Sequence, residues 1–281
     1  MTSGWWALVL ALLTTTPAVP PTPAAHPDLP FSGKPTLAYV EGHVLRKPDG
    51  STVQLPKRWG VTGIAAYDGG YLVSDDRTFE GTVGMAKLDA DGKVLDQWSG
   101  TGPPRVSQGG LLAWVSLSVS EADQHGPTVL HADSVSGGHE VTQRIARRWV
   151  PFLTGWWRGR LVYQTWGQGS SFLTDLASDP RPIPPAEDLG EPSPSGRLFA
   201  RTTAQGIEIR QYDGQLINVV KDPGLTRTQA NDIAWENERH LLATLTRGHR
   251  MCVVRVGLYG RVTRATDWQR ADTTGFVFMG L

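Results

Sequence analysis

The side chains best suited to hold a ligand gather in short loops between apolar runs. Asp75-Asp76 and Arg147-Arg148-Trp149 form the two sharpest groups, and Arg58, Trp166, Arg227, His249 and Arg270 stand at comparable places. Guanidinium beside indole suits a recognition hot spot, and equally a carbohydrate or an anionic ligand, because arginine forks match planar anions and stack on aromatic faces. The loops 75–82 and 120–127 are acidic and offer the opposite charge. A plainer use competes. Trp59, Trp98, Trp149 and Trp268 recur at one place in the pattern, as packing between repeated units requires. Charges such as Asp75-Asp76 and Arg147-Arg148 are also what solvated loops carry.

Signatures of catalysis are missing. There is no Gly-x-Ser-x-Gly nucleophile elbow, and Gly167-Gln168-Gly169-Ser170-Ser171 lacks the Gly-Lys-Ser/Thr that opens a phosphate-binding helix, so it reads as a hairpin loop. The seven histidines form no metal-ligating pair, and Asp89-Ala90-Asp91-Gly92-Lys93 lacks the later bidentate glutamate of a calcium loop. The single cysteine, Cys252, excludes an intramolecular disulfide and a cysteine-based zinc site; within Met251-Cys252-Val253-Val254 it reads as a small buried hydrophobe. Neither cofactor nor metal is expected. With 27 Lys+Arg against 27 Asp+Glu, the chain lacks the basic excess of a nucleic-acid binder.

The elements that must position these loops are strands. From residue 35 onward, apolar runs of about 4–8 residues alternate with Gly, Asp and Pro, the strand-and-turn pattern. The 32 Gly and 20 Pro among 281 residues suit a turn-rich β protein. One kind of turn recurs at Pro48-Asp49-Gly50-Ser51, Ala90-Asp91-Gly92-Lys93, Ser136-Gly137-Gly138-His139, Ser178-Asp179-Pro180, Tyr212-Asp213-Gly214-Gln215 and Leu258-Tyr259-Gly260-Arg261, a mean spacing of 42 residues. A second kind lies between them, at Asp68-Gly69-Gly70, Gln108-Gly109-Gly110, Arg158-Gly159-Arg160, Ser195-Gly196-Arg197 and Asn237-Glu238-Arg239, each followed by an apolar strand. A period of about 40–45 residues with four strands per unit is the mark of β-propeller blades.

The expected fold is therefore all-β: a six-bladed β-propeller of four-stranded antiparallel blades. Residues 36–58 hold only three strands, and Thr274-Gly275-Phe276-Val277-Phe278 at the C-terminus resembles a first strand. The C-terminal strand is thus expected to complete the N-terminal blade and remove exposed strand edges. The expected blades are 36–58 with 271–281, then 59–100, 101–147, 148–188, 189–224 and 225–270.

Glu191-Pro192-Ser193-Pro194-Ser195-Gly196-Arg197-Leu198-Phe199-Ala200 resembles the Ser-Pro-Asp-Gly-Arg/Lys-x-Ile-Ala signature of the TolB-like, WD40-like (PD40-type) propeller repeats, with Ser195 in place of the aspartate. Residues 233–243 form a degenerate second copy, and the other repeats keep only the turn and the apolar strand. The resemblance implies the propeller fold and, loosely, a periplasmic or extracellular interaction role. In this class the loops from the fourth strand to the next blade, and from second to third strand, share the face that carries binding. All ten residues named at the outset fall there.

Residues 5–13 are nine consecutive apolar residues, too short to cross a bilayer but right for a signal-peptide core. The expected organisation is a signal peptide at 1–25, a Pro-rich linker at 26–34 and the propeller at 35–281, with no transmembrane segment after cleavage and a secreted or periplasmic location. The expected function is that of an exported, monomeric binding or interaction module that recognises a protein or cell-envelope polymer through one loop face. The alternative is a propeller-type hydrolase, lactonase or lyase acting on a sugar or small molecule at the central channel.

Overall fold

A computed structural model describes residues 29–76, 83–100, 102–106, 111–117, 128–134, 141–145, 151–157, 160–165, 171–175, 181–183, 190–222, 224–225, 233–271 and 275–279. The described secondary structure is all β, a propeller-like arrangement of small antiparallel sheets. The first sheet holds β1 (Tyr39–Glu41), β2 (Val44–Arg46), β3 (Thr52–Gln54) and the last strand of the chain, β25 (Phe276–Phe278), in the order β25-β1-β2-β3. Tyr39 faces Phe278, Val40 faces Val277 and Glu41 faces Phe276. Met279, just beyond, makes a parallel bridge to Ile64.

Three other sheets read as single blades. They are β12 (Pro151–Trp157) to β15 (Arg181–Ile183), with β13 (Arg160–Thr165) and β14 (Ser171–Thr174) between; β16 (Glu191–Pro192) to β19 (Leu216–Val220), with β17 (Leu198–Thr203) and β18 (Gly206–Gln211); and β20 (Ile233–Asn237) to β23 (Val262–Arg264), with β21 (His240–Arg247), β22 (Arg250–Gly257) and a short fifth strand, β24 (Gln269–Arg270), on β22. In each, successive strands pair as a meander.

The expectation of six separate four-stranded blades needs correction: four sheets read as single blades, and the remaining strands form one sheet of eight. That sheet joins β4 (Val61–Tyr67), β5 (Gly70–Asp75), β6 (Val83–Leu88) and β7 (Val94–Gly100) to β8 (Arg105–Val106), β9 (Leu111–Leu117), β10 (Thr128–Ser134) and β11 (Val141–Ile145). The cause is the shortness of β8. Its two residues cover only Ala113 and Leu112 on β9, and Ser116, further along that strand, pairs with Gly100 of β7 instead. Glycine permits the approach: a Cβ at position 100 would lie 2.7 Å from the Val115 carbonyl oxygen.

The recurring turn has one geometry wherever it is described. The amides of Gly50, Gly92, Gly214 and Gly260 donate to carbonyls three residues back at 2.9–3.1 Å. The same four glycines have φ of 86–87°, the left-handed value that closes a three-residue hairpin at no steric cost. Asp49, Asp89 and Asp213 add a side-chain brace, their Oδ1 atoms accepting the amides of Ser51, Asp91 and Gln215 at 2.8–3.0 Å. The turns expected at 136–139 and 178–180 lie outside the described residues.

The repeat-like motif is also a hydrogen-bonding unit. The Ser193 hydroxyl accepts the Leu198 amide at 3.2 Å, and Gly196 N–H donates to the Ser193 carbonyl at 2.7 Å. The hydroxyls of Ser193 and Ser195 both donate to Glu238 Oε2, at 3.1 and 2.9 Å, in the degenerate second copy. An aspartate at 195 would set two carboxylates together, which is the physical reason for the serine.

The core lies between sheets rather than in one centre. Val40, Leu45, Ile64, Val73 and Leu88 join the first sheet to the eight-stranded one, and Ala113, Leu130, Leu153 and Tyr163 join that sheet to β12–β13. Ala200, Ile209, Trp235 and Val254 join the last two sheets, while Ala234, Leu242 and Val253 pack with Phe276 and Phe278 of β25. The innermost strands lie side by side in chain order: β4 beside β25 and β8, β12 beside β8 and β16, and β16 beside β20. Among the described residues no helix is long and apolar enough to cross a membrane.

Candidate functional site

Five of the ten expected site residues, Arg147, Arg148, Trp149, Trp166 and Arg227, lie outside the described residues. The other five separate into two places. Arg58 is exposed beside Gly60, which exchanges two hydrogen bonds with Asp76: its amide donates to Asp76 Oδ1 at 3.0 Å, and its carbonyl accepts the Asp76 amide at 3.1 Å. Asp75 is fully buried, its carboxylate lying over Gly84 of β6, where a Cβ would come within 2.8 Å of Oδ1. It is a constituent of the sheet interior and presents no surface to a ligand.

His249 and Arg270 come together on the last sheet. β24 returns alongside β22, pairing Arg270 with Arg250, and the Ala271 amide donates to the His249 carbonyl at 2.8 Å. The Arg250 guanidinium sits 5.6 Å from the centre of the Trp268 ring, within cation–π range. His249, Arg250 and Arg270 are exposed, so this edge is a basic, aromatic rim.

A cleft of about 260 Å³ lies between the first and last sheets, where the two ends of the described chain meet. One wall is Tyr39, Glu41 and Arg46 of β1 and β2, with Lys47 in the following turn. The opposite wall is Thr266, Asp267 and Gln269, between β23 and β24, and the segment carrying Phe31 and Lys34 closes one side. Tyr39 and Glu41 project to the same side because Val40 between them turns inward to the core. Arg46, cross-strand from Tyr39, makes an ion pair with Glu41. Burial, with the Glu41 charge, raises the Tyr39 phenol above its ordinary range despite Arg46, so the ring stays neutral and serves as a donor and an apolar surface.

Chain order does not announce the segment that closes the cleft. Residues 30–34, read from sequence as linker, lie along the outer edge of the last sheet: Ser32 N–H donates to the Arg264 carbonyl at 2.9 Å, and Arg264 N–H donates to Pro30 O at 2.8 Å. Arg255 of β22 clasps this arm. Its guanidinium donates to the Ser32 hydroxyl at 2.7 Å and the Lys34 carbonyl at 3.1 Å, while binding Glu236 through Nε and Nη2 at 2.5 and 2.9 Å. Glu236 Oε1 also accepts the Thr36 amide at 2.8 Å. Burial pushes the Glu236 carboxyl up, but Arg255 and the Thr36 amide outweigh it and hold the group below the usual carboxylate range. The arm is therefore fixed, and Phe31 and Lys34 are held in place along the cleft.

A second polar feature lies among the innermost strands. Arg105 of β8 donates from Nε to the Leu153 carbonyl of β12 at 3.3 Å and brings Nη1 to 3.8 Å from Glu191 Oε2 on β16. Burial raises the Glu191 carboxyl above its ordinary value, and Arg105 only partly opposes it. Among the described residues no three His, Cys, Asp or Glu side chains converge as a metal site.

Solved structures fix what kind of fold positions these groups. TolB from Acinetobacter baumannii superposes with a TM-score of 0.56 at 12% identity, covering 86% of this chain and 66% of that one. The fold is TolB-like. A protein of unknown function from Bacteroides caccae is similar at a TM-score of 0.49 and 15% identity, over 83% of this chain and 94% of that one. The chain spans just under two thirds of the TolB length. No protein-family description and no curated protein matches the sequence.

The TolB-like fold accounts for what sequence reading found and missed. His249 and Arg270 were visible as loop residues at comparable places in the repeat. Phe31, Lys34, Glu41, Arg46 and Gln269 were missed because the cleft joins segments more than 200 residues apart, and no local spacing marks that. Arg105 and Glu191 were missed because β8 and β16 are two residues long. The one available signal was Glu191 at the head of the repeat-like motif.

Proposed function

We propose that the chain is an exported, six-bladed propeller that serves as a binding module without catalysis of its own, recognising a protein or cell-envelope ligand. Six blades follow if the eight-stranded sheet is two blades joined at Gly100 and Ser116. The side-by-side innermost strands support that count, and the packing of Ala234 against Phe276 and Phe278 supports closure of the ring. The apolar run at 5–13 and the proline-rich stretch after it support export.

The observation that carries the binding role is the cleft at the seam between first and last sheets, whose walls set aromatic rings beside paired and unpaired charges. Retention of a labelled envelope extract by the immobilised protein tests it. Phe31→Ala/Lys34→Gln is expected to reduce retention, and an unchanged profile would count against the cleft. Arg148→Ala/Trp149→Ala in the same assay tests the Arg147-Arg148-Trp149 group.

One observation favours a catalytic reading: the Glu191 carboxyl lies among the innermost strands, raised by burial against the opposing Arg105 guanidinium 3.8 Å away. A hydrolase, lactonase or lyase site on a sugar or small molecule would need it, so turnover by the parent protein lost in Glu191→Gln would establish that role.

A further inference from the structure

Three arginines stand in a row across the last sheet. Arg247 of β21 faces Arg250 of β22, and Arg250 faces Arg270 of β24. Residues directly opposite on antiparallel strands project to one side of the sheet, with Cβ atoms about 4.5–5.5 Å apart. We infer that this row is a phosphate-binding site, with Arg250 and Arg270 as its forks and the Trp268 ring beneath Arg250. It is a second site that does not depend on the seam cleft. Gln269, which lines the cleft, pairs with Met251 on the other face of the sheet, that of Ala234, Phe276 and Phe278.

Placement comes first. Leu245, Cys252 and Val254 are buried between the last two sheets, and Trp268 packs against them. Alternation along β21 and β22 carries Arg247 and Arg250 to that same face, one step outward from Leu245 and from Cys252. The row therefore stands where the core ends and solvent begins. Arg250 and Arg270 are exposed, as is His249 at the tip of the hairpin.

Charge comes second. Like charges directly opposite one another destabilise a sheet, and here two such pairings follow in succession. At one end Arg247 Nη2 donates to Asp222 Oδ2 at 2.9 Å. In the middle, Arg250 makes no ion pair among the described residues; its guanidinium lies over the Trp268 ring, 5.6 Å from the centre. That contact holds the fork in place before any ligand arrives. The repulsion along the row is a cost to the sheet that an anion seated on it removes.

The arrangement selects the anion. A carboxylate has two oxygens in one plane and a single charge, and one guanidinium fork fills it. A phosphate monoester has three terminal oxygens and a charge of about −1.5 to −2, so forks from two strands can share it. Arginines on neighbouring strands, side by side, match the second.

The test is calorimetric titration of the full chain with glycerol phosphate, with acetate as comparator and chloride holding the ionic strength constant. The phosphate ester is expected to bind at least about tenfold tighter than acetate, and more weakly as chloride is raised. Arg250→Gln and Arg270→Gln are each expected to weaken it by about tenfold, and Arg250→Lys, which keeps the charge without the fork, to recover part of the loss. In phosphate-free buffer Arg250→Gln should unfold at the same or a higher urea concentration than the parent, since a repulsion is removed. Glycerol phosphate should raise the midpoint of the parent and leave that of the variant unchanged. Vesicles of phosphatidic acid in phosphatidylcholine identify the source: co-sedimentation lost in Arg250→Gln assigns a lipid headgroup, and binding of the soluble ester alone assigns a free phosphate. No heat at millimolar glycerol phosphate, equal binding of acetate, or affinity unchanged in both glutamine variants would overturn the inference. So would a lower urea midpoint for Arg250→Gln without phosphate, because the row would then be a structural element of the sheet.

Discussion

Two buried arginine–glutamate pairs in this molecule have opposite characters. Arg255 and Glu236, in the last sheet, are 13% and 1% exposed and meet through two hydrogen bonds of 2.5 and 2.9 Å, with a backbone amide completing the carboxylate. Arg105 and Glu191, among the innermost strands, are 12% and 14% exposed and meet at 3.8 Å, too far for a hydrogen bond. Burial raises both carboxyls; only at Glu236 do the fork-shaped contacts reverse the sign. The two also differ in the number and geometry of the donors aimed at each carboxylate. The first pair is a clasp that holds the arm, and in the second burial outweighs the guanidinium and raises the carboxyl.

Breaking the clasp has the largest expected effect. Arg255→Ala leaves an uncompensated charge at a position 1% exposed, and a loss of about 3–5 kcal/mol in urea-unfolding free energy is expected. Limited proteolysis should then cut within residues 30–36. A loss below about 1 kcal/mol with an uncut arm would show that the clasp does not hold it.

Gly100→Ala probes the junction within the eight-stranded sheet. The added methyl would meet the Val115 carbonyl oxygen at 2.7 Å and Met85 Cγ at 2.8 Å, so a loss of about 1–3 kcal/mol is expected. If the sheet is two joined blades, the variant keeps its β circular dichroism spectrum and a cooperative transition. Loss of the fold would mean that the sheet is one indivisible unit.

Acid sharpens the contrast between the two glutamates. Glu236 is held below its unfolded value, so its stabilisation is complete above about pH 4.3 and is lost as pH falls through the folded value. Glu191 is raised, so its contribution is complete below about pH 4.3 and is lost as pH rises through the folded value. Unfolding free energies measured against pH should therefore lose their low-pH decline in Glu236→Gln, and the decline above pH about 4.3 in Glu191→Gln. Identical profiles for the two variants would contradict the assignment.

The smallest effect is expected at the motif serine. Ser195→Asp places a carboxylate against Glu238, which now accepts the Ser195 hydroxyl at 2.9 Å, and should cost about 1 kcal/mol, largely recovered in Ser195→Asp/Glu238→Gln. No change on Ser195→Asp would remove the reason offered for the serine.

What the sequence made legible was local. The Asp-Gly turns at 50, 92 and 214 were readable because a left-handed glycine and an aspartate brace are properties of five neighbouring residues. Asp75 was misjudged because a loop-edge carboxylate looks exposed in sequence, whereas the whole of β5 is buried and Gly84 opposite leaves room for the side chain. The junction at Gly100 escaped because it depends on how short β8 is. The clasp and cleft escaped because they join Ser32 and Lys34 to Arg255, more than 220 residues away.

Amide hydrogen exchange at the seam is the most direct measurement, since ring and cleft both require the two ends of the chain to be one unit. The pairing of Tyr39, Val40 and Glu41 with Phe278, Val277 and Phe276 predicts that the amides of β1 and β25 are protected to the same extent and open together as denaturant is raised. β25 amides exchanging at the rate of unstructured peptide while those of β1 stay protected would contradict it.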